Sequence, residues 1–315
     1  MTYRDRLPQL DGGLFLTDGG LETVLVFHEG LELPAFAAFP LLGSEPGRRT
    51  IRRYYEPFLE LAREAGAGFV LETPTWRASP RWAAQLGYDD EQLDWINRRG
   101  VALMEELREE HADVAPIVVS GLIGPQDDAY DPALRLSAHE ARAYHATQIA
   151  TFADTAADLV TAMTITYAEE AIGVAQAAAD VGLPVVVSFT VETDGRLPSG
   201  QPLADAIAAV DDATGAGPAY YMVNCAHPTH FAPVFEADGP WQRVRGLRAN
   251  ASMRSHAELD EAPELDEGDP VDLGARYAAL APRLGEACVL GGCCGTDHRH
   301  VAEIARAWPR RAPVA

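Results

Sequence analysis

Short apolar runs alternate along the chain with longer stretches in which apolar residues recur every three or four positions. A short apolar run bounded by glycine, proline or polar residues is typical of a buried strand, and the longer period is typical of a helix packed on one face. The pattern predicts eight strands, at residues 14–17, 68–71, 117–120, 159–162, 184–189, 220–223, 244–247 and 287–290.

Helices are predicted between the strands, and two of them carry recognisable N-terminal signals. Ser137 with Glu140, and Thr166 with Glu169, have the spacing of a capping box. The acidic stretch 258–272 is predicted to be a loop. Further helices are expected at residues 51–65, 90–110, 203–210 and 274–284, with a last one beginning near residue 298.

Strands that alternate with helices indicate an α/β protein with a parallel sheet. A count of eight favours a (β/α)8 TIM barrel. A doubly wound sheet is the competing architecture, but it would require a glycine-rich GxGxxG loop after the first strand, and the sequence has none. Because no long linker, repeat or low-complexity block divides the chain, residues 1–315 are interpreted as a single domain.

Composition narrows the range of functions. The 315-residue chain has a formal net charge of -22 and no lysine, so all 25 basic residues are arginine. A strongly negative field disfavours nucleic acids and anionic membrane surfaces. The lack of lysine excludes Schiff-base, pyridoxal-phosphate and P-loop chemistry. The N-terminal residues lack a secretory pattern, and no apolar run could span a bilayer. We therefore expect a cytoplasmic protein that acts on small molecules; a homo-oligomer is left open.

The cysteines are the strongest chemical signal. Cys288 lies inside an apolar strand and is expected to be a core residue. Cys225 follows the sixth strand, and Cys293 and Cys294 follow the eighth, between glycines. In a barrel these strand ends lie on one rim. Three thiolates suit Zn²⁺ and leave the fourth tetrahedral position open, as in catalytic zinc sites. A zinc ion held by Cys225, Cys293 and Cys294 is predicted.

Histidines near these cysteines offer an alternative ligand set. His227 and His230 follow Cys225 closely, and His298 and His300 follow the cysteine pair. A side chain two residues beyond a strand end usually points away from the strand's own site. We therefore expect these histidines to serve loop and helix packing.

The sequence Gly-Gly-Cys-Cys-Gly-Thr at residues 291–296, with Val-Asn-Cys at 223–225, resembles the zinc signature of the homocysteine S-methyltransferase family. Supporting segments extend the resemblance over nearly the whole chain. They are Asp18-Gly19-Gly20 with Thr23, the group Thr73, Thr75, Ala78 and Ser79, residues 121–125 (with Leu122 replacing a serine), Ser188-Phe189-Thr190, Asp194-Gly195 and Ser199-Gly200.

The resemblance implies a zinc-bearing barrel that methylates the thiol of homocysteine to give methionine. The implied donor is a sulfonium or ammonium compound such as S-methylmethionine, S-adenosylmethionine or betaine. Asp18 and the amides of Gly19 and Gly20 match the loop that docks the amino acid. Thr73 matches the second-strand segment, and Asn224 adjoins the ligand Cys225. These residues are the expected substrate-binding set.

One position departs from the family. Met163 stands where the family has a glutamate that binds the substrate ammonium, and a thioether cannot pair with an ammonium group. Either another carboxylate replaces it, with Glu72 as the candidate, or the acceptor is a different small thiol or selenol. Trp76, after the second strand, is a candidate to face a cationic donor. A zinc hydrolase, which would favour histidine and carboxylate ligands, and a non-catalytic zinc- or thiol-binding barrel are less favoured alternatives.

Overall fold

Eight parallel strands close into a barrel in the computed structural model, which describes residues 2–130, 134–262 and 264–309. Each strand pairs with the next in sequence, and β1 also pairs with β8 to close the ring. The predicted (β/α)8 fold is therefore confirmed. The strands are Phe15–Leu16 (β1), Gly68–Glu72 (β2), Ile117–Ile123 (β3), Leu159–Ile165 (β4), Val185–Thr190 (β5), Tyr220–Asn224 (β6), Val244–Ala249 (β7) and Val289–Gly292 (β8).

Helices surround the barrel and connect its strands. The longest, which follow β1 and β2, are each 21 residues long and span about 30 Å. The α-helices are Leu21–Thr23 (α1), Glu45–Ala65 (α2), Pro80–Gln85 (α3), Asp90–Glu110 (α4), Ala138–Ala153 (α5), Ala168–Asp180 (α6), Leu203–Thr214 (α7), Pro228–Phe231 (α8), His256–Asp260 (α9), Pro270–Leu280 (α10) and His298–Ala307 (α11). Among the described residues no helix is both long and apolar enough to cross a membrane.

Most predicted helices are confirmed, and the differences lie at their ends. The Ser137–Glu140 capping box forms at the start of α5. The predicted box at Thr166 and Glu169 is wrong, because Tyr167 takes the N-cap position of α6 without a side-chain hydrogen bond. Helix α2 begins six residues earlier than the apolar pattern suggests, since Ser44 caps it by accepting a hydrogen bond from the Gly47 amide.

The acidic stretch after β7 contains more structure than predicted. Helix α9 overlaps its first residues and is capped by Ser255, which accepts from the Glu258 amide while the Glu258 side chain bonds back. Helix α10 begins at Pro270 and ends at Leu280, four residues before the predicted bounds at each end. Here Asp269 supplies the N-cap and Pro270 the first helical position, a local signal that outweighs the acidic composition.

Two hydrophobic layers hold the barrel together. Alternate strand residues point inward and fill the barrel's interior. The other strand face packs against the helices. Because the interior is filled with side chains, space for a ligand is left at the rim formed by the carboxyl ends of the strands. The inner layer is Leu7, Phe15, Val70, Val118, Leu159, Val186, Tyr220, Met222, Cys288 and Val289, which confirms Cys288 as a core residue.

Candidate metal and substrate site

A cavity of about 940 Å³ opens at the carboxyl ends of the strands. The loops that follow seven of the eight strands contribute to its wall. The sequence-predicted residues that line it are Asp18, Gly19, Gly20, Thr73, Cys225, Cys293 and Cys294. Glu72 and Asn224 lie at strand ends, with 2% and 0% of their surface exposed.

The three predicted cysteine ligands meet in this cavity. The Sγ atom of Cys225 lies 2.8 Å from that of Cys293 and 3.5 Å from that of Cys294. All three sulfur atoms lie within 4.8 Å of one another. The cysteines are free thiols, and a disulfide would require about 2.05 Å between sulfurs. Ligand sulfurs around one tetrahedral zinc are about 3.8 Å apart, given Zn–S bonds of about 2.3 Å. The 3.5 Å pair is close to that spacing, and the 2.8 Å pair would separate by about 1 Å around an ion.

Local backbone geometry directs the thiols toward one point. Cys225 has φ = 56°, a left-handed conformation that costs a non-glycine residue about 1–3 kcal/mol. Two side chains hold this turn by bonding the Cys225 carbonyl: Asn250 donates to it at 3.1 Å, and His256 Nε2 lies 2.5 Å away. After the cysteine pair, Gly295 at φ = 75° makes the turn into the loop before α11. A strained cysteine whose backbone is fixed by two side chains is typical of a functional site.

The thiols compete for ionisation because they are so close. The hydrogen bond from Cys225 lowers the pKa of Cys293 well below its usual value. The contact with Cys293 raises the pKa of Cys225, and the contact with Cys225 raises the pKa of Cys294. In the protein alone, one thiolate is therefore stabilised by two thiols. A divalent cation would allow all three to ionise, which is the chemical reason why such a cluster suits zinc.

Asn224 sits behind the cysteines and joins two neighbouring strands. Its side-chain oxygen accepts hydrogen bonds from the Thr164 amide at 3.0 Å and the Ser188 hydroxyl at 2.6 Å. Its amide group donates to Thr164 Oγ1 at 2.8 Å and approaches Cys293 Sγ at 3.9 Å. These bonds fix Asn224 as a buried support of the cysteine site.

Sequence reasoning missed Arg248, on β7, which ties the predicted docking residues together. Its guanidinium donates to Asp18 Oδ1 at 2.7 Å and bonds Glu72 Oε2. It also donates to the carbonyls of Gly19 at 3.0 Å and Gly292 at 2.9 Å. The signal in the sequence was an arginine near the end of an otherwise buried strand, where a charge is rare unless paired.

The acidic groups beside Arg248 are strongly perturbed. Burial raises the pKa of Glu72 to about 7, although the charge of Arg248 opposes the shift. Burial also raises the pKa of Asp18, against the effects of Arg248 and of Tyr54, which donates to Asp18 Oδ2 at 3.0 Å. The predicted carboxylates are thus already engaged within the protein. The Gly20 amide, expected to face the substrate, donates to the Thr296 carbonyl at 3.0 Å.

A second group that the sequence did not reveal lies against Cys225. The Tyr130 hydroxyl lies 3.0 Å from Cys225 Sγ and 4.0 Å from Cys294 Sγ. Its ring stacks on His256 with a centroid distance of 4.0 Å. His256 Nδ1 in turn lies 3.1 Å from Glu192 Oε1. Tyr130 follows β3 and His256 follows β7, so their contact joins two loops of the cavity wall beside Cys225.

The remaining predicted positions form two groups: residues that line the cavity, and histidines that bond elsewhere. Met163 and Trp76 both line the cavity, and the Trp76 indole donates to the Met163 carbonyl at 3.3 Å. The histidine alternative is not supported. His227 Nδ1 bonds Thr229, and His230 bonds the Met253 carbonyl. Among the described residues, the cluster able to hold a metal consists of cysteines alone.

Thr73 has a structural as well as a lining position. Its hydroxyl accepts from the Leu122 amide at 2.9 Å and lies 2.6 Å from Thr75 Oγ1. These contacts join the end of β2 to β3 beneath the cavity.

Comparison with known proteins places this geometry in a family. The homocysteine S-methyltransferase family model matches residues 15–308. The Escherichia coli homocysteine methyltransferase MmuM in its oxidized form superposes with a TM-score of 0.72 at 21% identity, covering 93% of this chain and 95% of that one. Its metallated form gives a TM-score of 0.69 at 20% identity, covering 96% and 99%. No curated protein gives a significant sequence match. The chain is a methyltransferase that belongs to the homocysteine S-methyltransferase family.

Proposed function

We propose that this enzyme binds one zinc ion through Cys225, Cys293 and Cys294 and transfers a methyl group from a cationic donor to the thiol of homocysteine, forming methionine. The observation that carries the proposal is the convergence of three cysteine sulfurs inside the large cavity of a family member. A metallated form of MmuM is among the similar structures, and this supports a metal in the present enzyme.

The donor set fits zinc and a thiol substrate. Zinc bound to three thiolates would supply an open position at which a thiol loses its proton and becomes a nucleophile. The chain's part is to hold the three sulfurs together, with Asn224 behind Cys293 and Asn250 on the Cys225 carbonyl. These fixed contacts keep the sulfurs pointed into the cavity before substrate arrives.

The cavity also suits a cationic methyl donor. Its lining carries a surplus of carboxylates over arginines, since Asp18, Glu22, Asp128, Glu192, Glu264 and Asp266 face only Arg77 and Arg248. Aromatic rings able to face a sulfonium or ammonium group line the same space. These are Phe27, Phe36, Tyr55, Trp76 and Tyr130.

In the proposed reaction the acceptor sulfur attacks the methyl carbon of the donor. A new carbon–sulfur bond forms, the bond from methyl to the donor's sulfur or nitrogen breaks with its electron pair, and the donor leaves neutral. The thiol proton is released on binding. The donor's positive charge is lost in the transition state, so the anionic surroundings act mainly by binding and orienting it.

Metal analysis and methyl-transfer assays test the proposal together. We expect about one zinc per chain and methylation of homocysteine by S-methylmethionine, S-adenosylmethionine or betaine. Cys294→Ala should lose both zinc and activity. Cys288→Ala is the matched control, because Cys288 is a core thiol at the opposite end of the barrel and bonds the Gln9 carbonyl. Full activity in Cys294→Ala, or wild-type protein without zinc, would refute the zinc mechanism.

The same assay decides between acceptors. Met163 leaves the end of β4 without a charge, and this favours, as the second candidate, a small thiol or selenol other than homocysteine. Transfer to another thiol with none to homocysteine would select that candidate.

A further inference from the structure

The cavity wall contains a carboxylate, Glu22, whose favourable influences are a hydrogen bond from its own backbone and the charge of Arg77. Glu22 lies in α1, immediately after the glycine loop that follows β1, and lines the cavity together with the three cysteines. Among the described residues, no side chain forms a hydrogen bond or ion pair with its carboxylate. Glu22 is partly buried, so its charge is only partly solvated. A carboxylate in this setting is suited to bind a cation.

Helix α1 is held firmly against the cysteine loop, which fixes where Glu22 sits. The Gly295 amide donates to Thr23 Oγ1 at 3.2 Å, and the Gly20 amide donates to the Thr296 carbonyl at 3.0 Å. A side chain at Gly20 would come within 2.6 Å of the Cys293 carbonyl, so the backbone there lies directly on the cysteine loop. These contacts fix α1, and with it the backbone of Glu22, against the loop that carries Cys293 and Cys294.

Other carboxylates of the cavity are already engaged. Asp18 and Glu72 share Arg248, and Glu192 lies 3.1 Å from His256 Nδ1. Arg77 is the cation whose charge lowers the pKa of Glu22. Asp128 has a larger effect than Glu22 on the pKa of Arg77. Burial raises the pKa of Glu22 to about 7, and the charges of Asp18 and Cys293 add to the rise.

We propose that Glu22 binds the ammonium group of the amino-acid acceptor, as a carboxylate of the same cavity in which Met163 offers no charge. This inference rests on the proposed function, because it assumes an acceptor that carries both a thiol and an ammonium group. Glu22 would thereby determine specificity for amino-acid thiols over plain thiols. An ammonium there would be held between the carboxylate and the anionic cysteine cluster.

The test compares two ligands that differ only in the ammonium group, L-homocysteine and 4-mercaptobutanoate. Their binding to the zinc-loaded protein is measured by calorimetry. We expect wild type to prefer homocysteine and Glu22→Gln to weaken homocysteine binding by at least about tenfold, with 4-mercaptobutanoate unchanged. Glu22→Asp should keep the preference. Glu109→Gln, which removes an exposed carboxylate from α4 outside the cavity, is the matched control and should bind both ligands as wild type does.

Unchanged homocysteine binding in Glu22→Gln, or an equal loss of both ligands, would overturn the assignment. The proposed function fails separately, when wild type forms no methylated thiol with any of the three donors. Binding that follows the expected pattern would support the role of Glu22 even in that case, because calorimetry does not depend on turnover.

Discussion

Replacing Arg248 by methionine tests whether the buried ion cluster holds the cavity floor together. Arg248 is 3% exposed, and its guanidinium contacts Asp18, Glu72 and the carbonyls of Gly19 and Gly292. Methionine replaces the aliphatic stem of arginine but carries no guanidinium, so two buried carboxylates lose their cation. Removing one partner of a buried ion pair costs about 3–5 kcal/mol. We expect a loss of that size in the free energy of unfolding.

The expected loss converts into a measurable shift in Tm. Unfolding entropy is about 2.1 cal/mol/K per residue, so a chain of 315 residues has about 0.66 kcal/mol/K and Tm falls by roughly 5–8 °C. Asp18 and Glu72 already have raised pKa values with Arg248 in place. Without the cation they rise further.

The loss should depend on pH in a definite direction. A carboxyl group with a higher pKa in the folded than in the unfolded protein stabilises the fold only while protonated, and that contribution is lost as pH rises through the folded-state value. The stability deficit of Arg248→Met is therefore expected to be small at about pH 5 and to grow toward about pH 8.5.

Arg245→Met is the matched control, measured by thermal denaturation over the same pH range. Arg245 lies on the same strand and pairs with Glu286, but the two side chains are 26% and 49% exposed. Such a pair contributes about 1 kcal/mol or less. If Arg248→Met loses no more stability than this control, or if its deficit is the same at every pH, the ion cluster does not stabilise the cavity floor.

Two further substitutions test the support behind the cysteines and the acid sensitivity of the fold. Asn224→Ala leaves the Thr164 amide and the Ser188 hydroxyl unpaired. We expect a loss of about 2–4 kcal/mol in stability and about tenfold weaker zinc binding in a chelator competition. Asn97→Ala, the control, removes another buried amide, which is bonded to Ala78 and Leu93, and should lose stability but keep zinc affinity. Burial lowers the pKa of His227 to about 4, so the unfolded chain binds the proton more tightly and stability falls as pH drops from about 6.5 toward that value. His227→Asn should flatten this fall in thermal denaturation while the exposed His298→Asn should not, and equal acid sensitivity in both would contradict the assignment.

Local signals in the sequence predicted all eight strands. Parallel strands buried on both faces appear as continuous apolar runs, such as 184–189, so they stand out without any knowledge of tertiary contacts. Helix ends were less certain. Thr166 and Glu169 have the capping spacing, but α6 begins one residue later, with Tyr167 at the N-cap position and no side-chain hydrogen bond.

The cysteine cluster could be predicted because topology, rather than detailed packing, brings it together. Residues 225 and 293–294 follow strands β6 and β8, and the closed parallel barrel places all strand ends on one rim. Distance along the chain is irrelevant once that rim is recognised. The same argument gathered Asp18 and Thr73 at the cavity.

The sequence by itself determined the fold, the rim and the residue types that meet there, because strand period and parallel order are properties of local pattern. Only the tertiary structure decided which charges are available. Arg248 engages Asp18 and Glu72 across three strands, and Glu22 remains without a partner among the described side chains. Pairing of buried charges depends on distances of a few ångströms between side chains remote in sequence, and no local pattern encodes those distances.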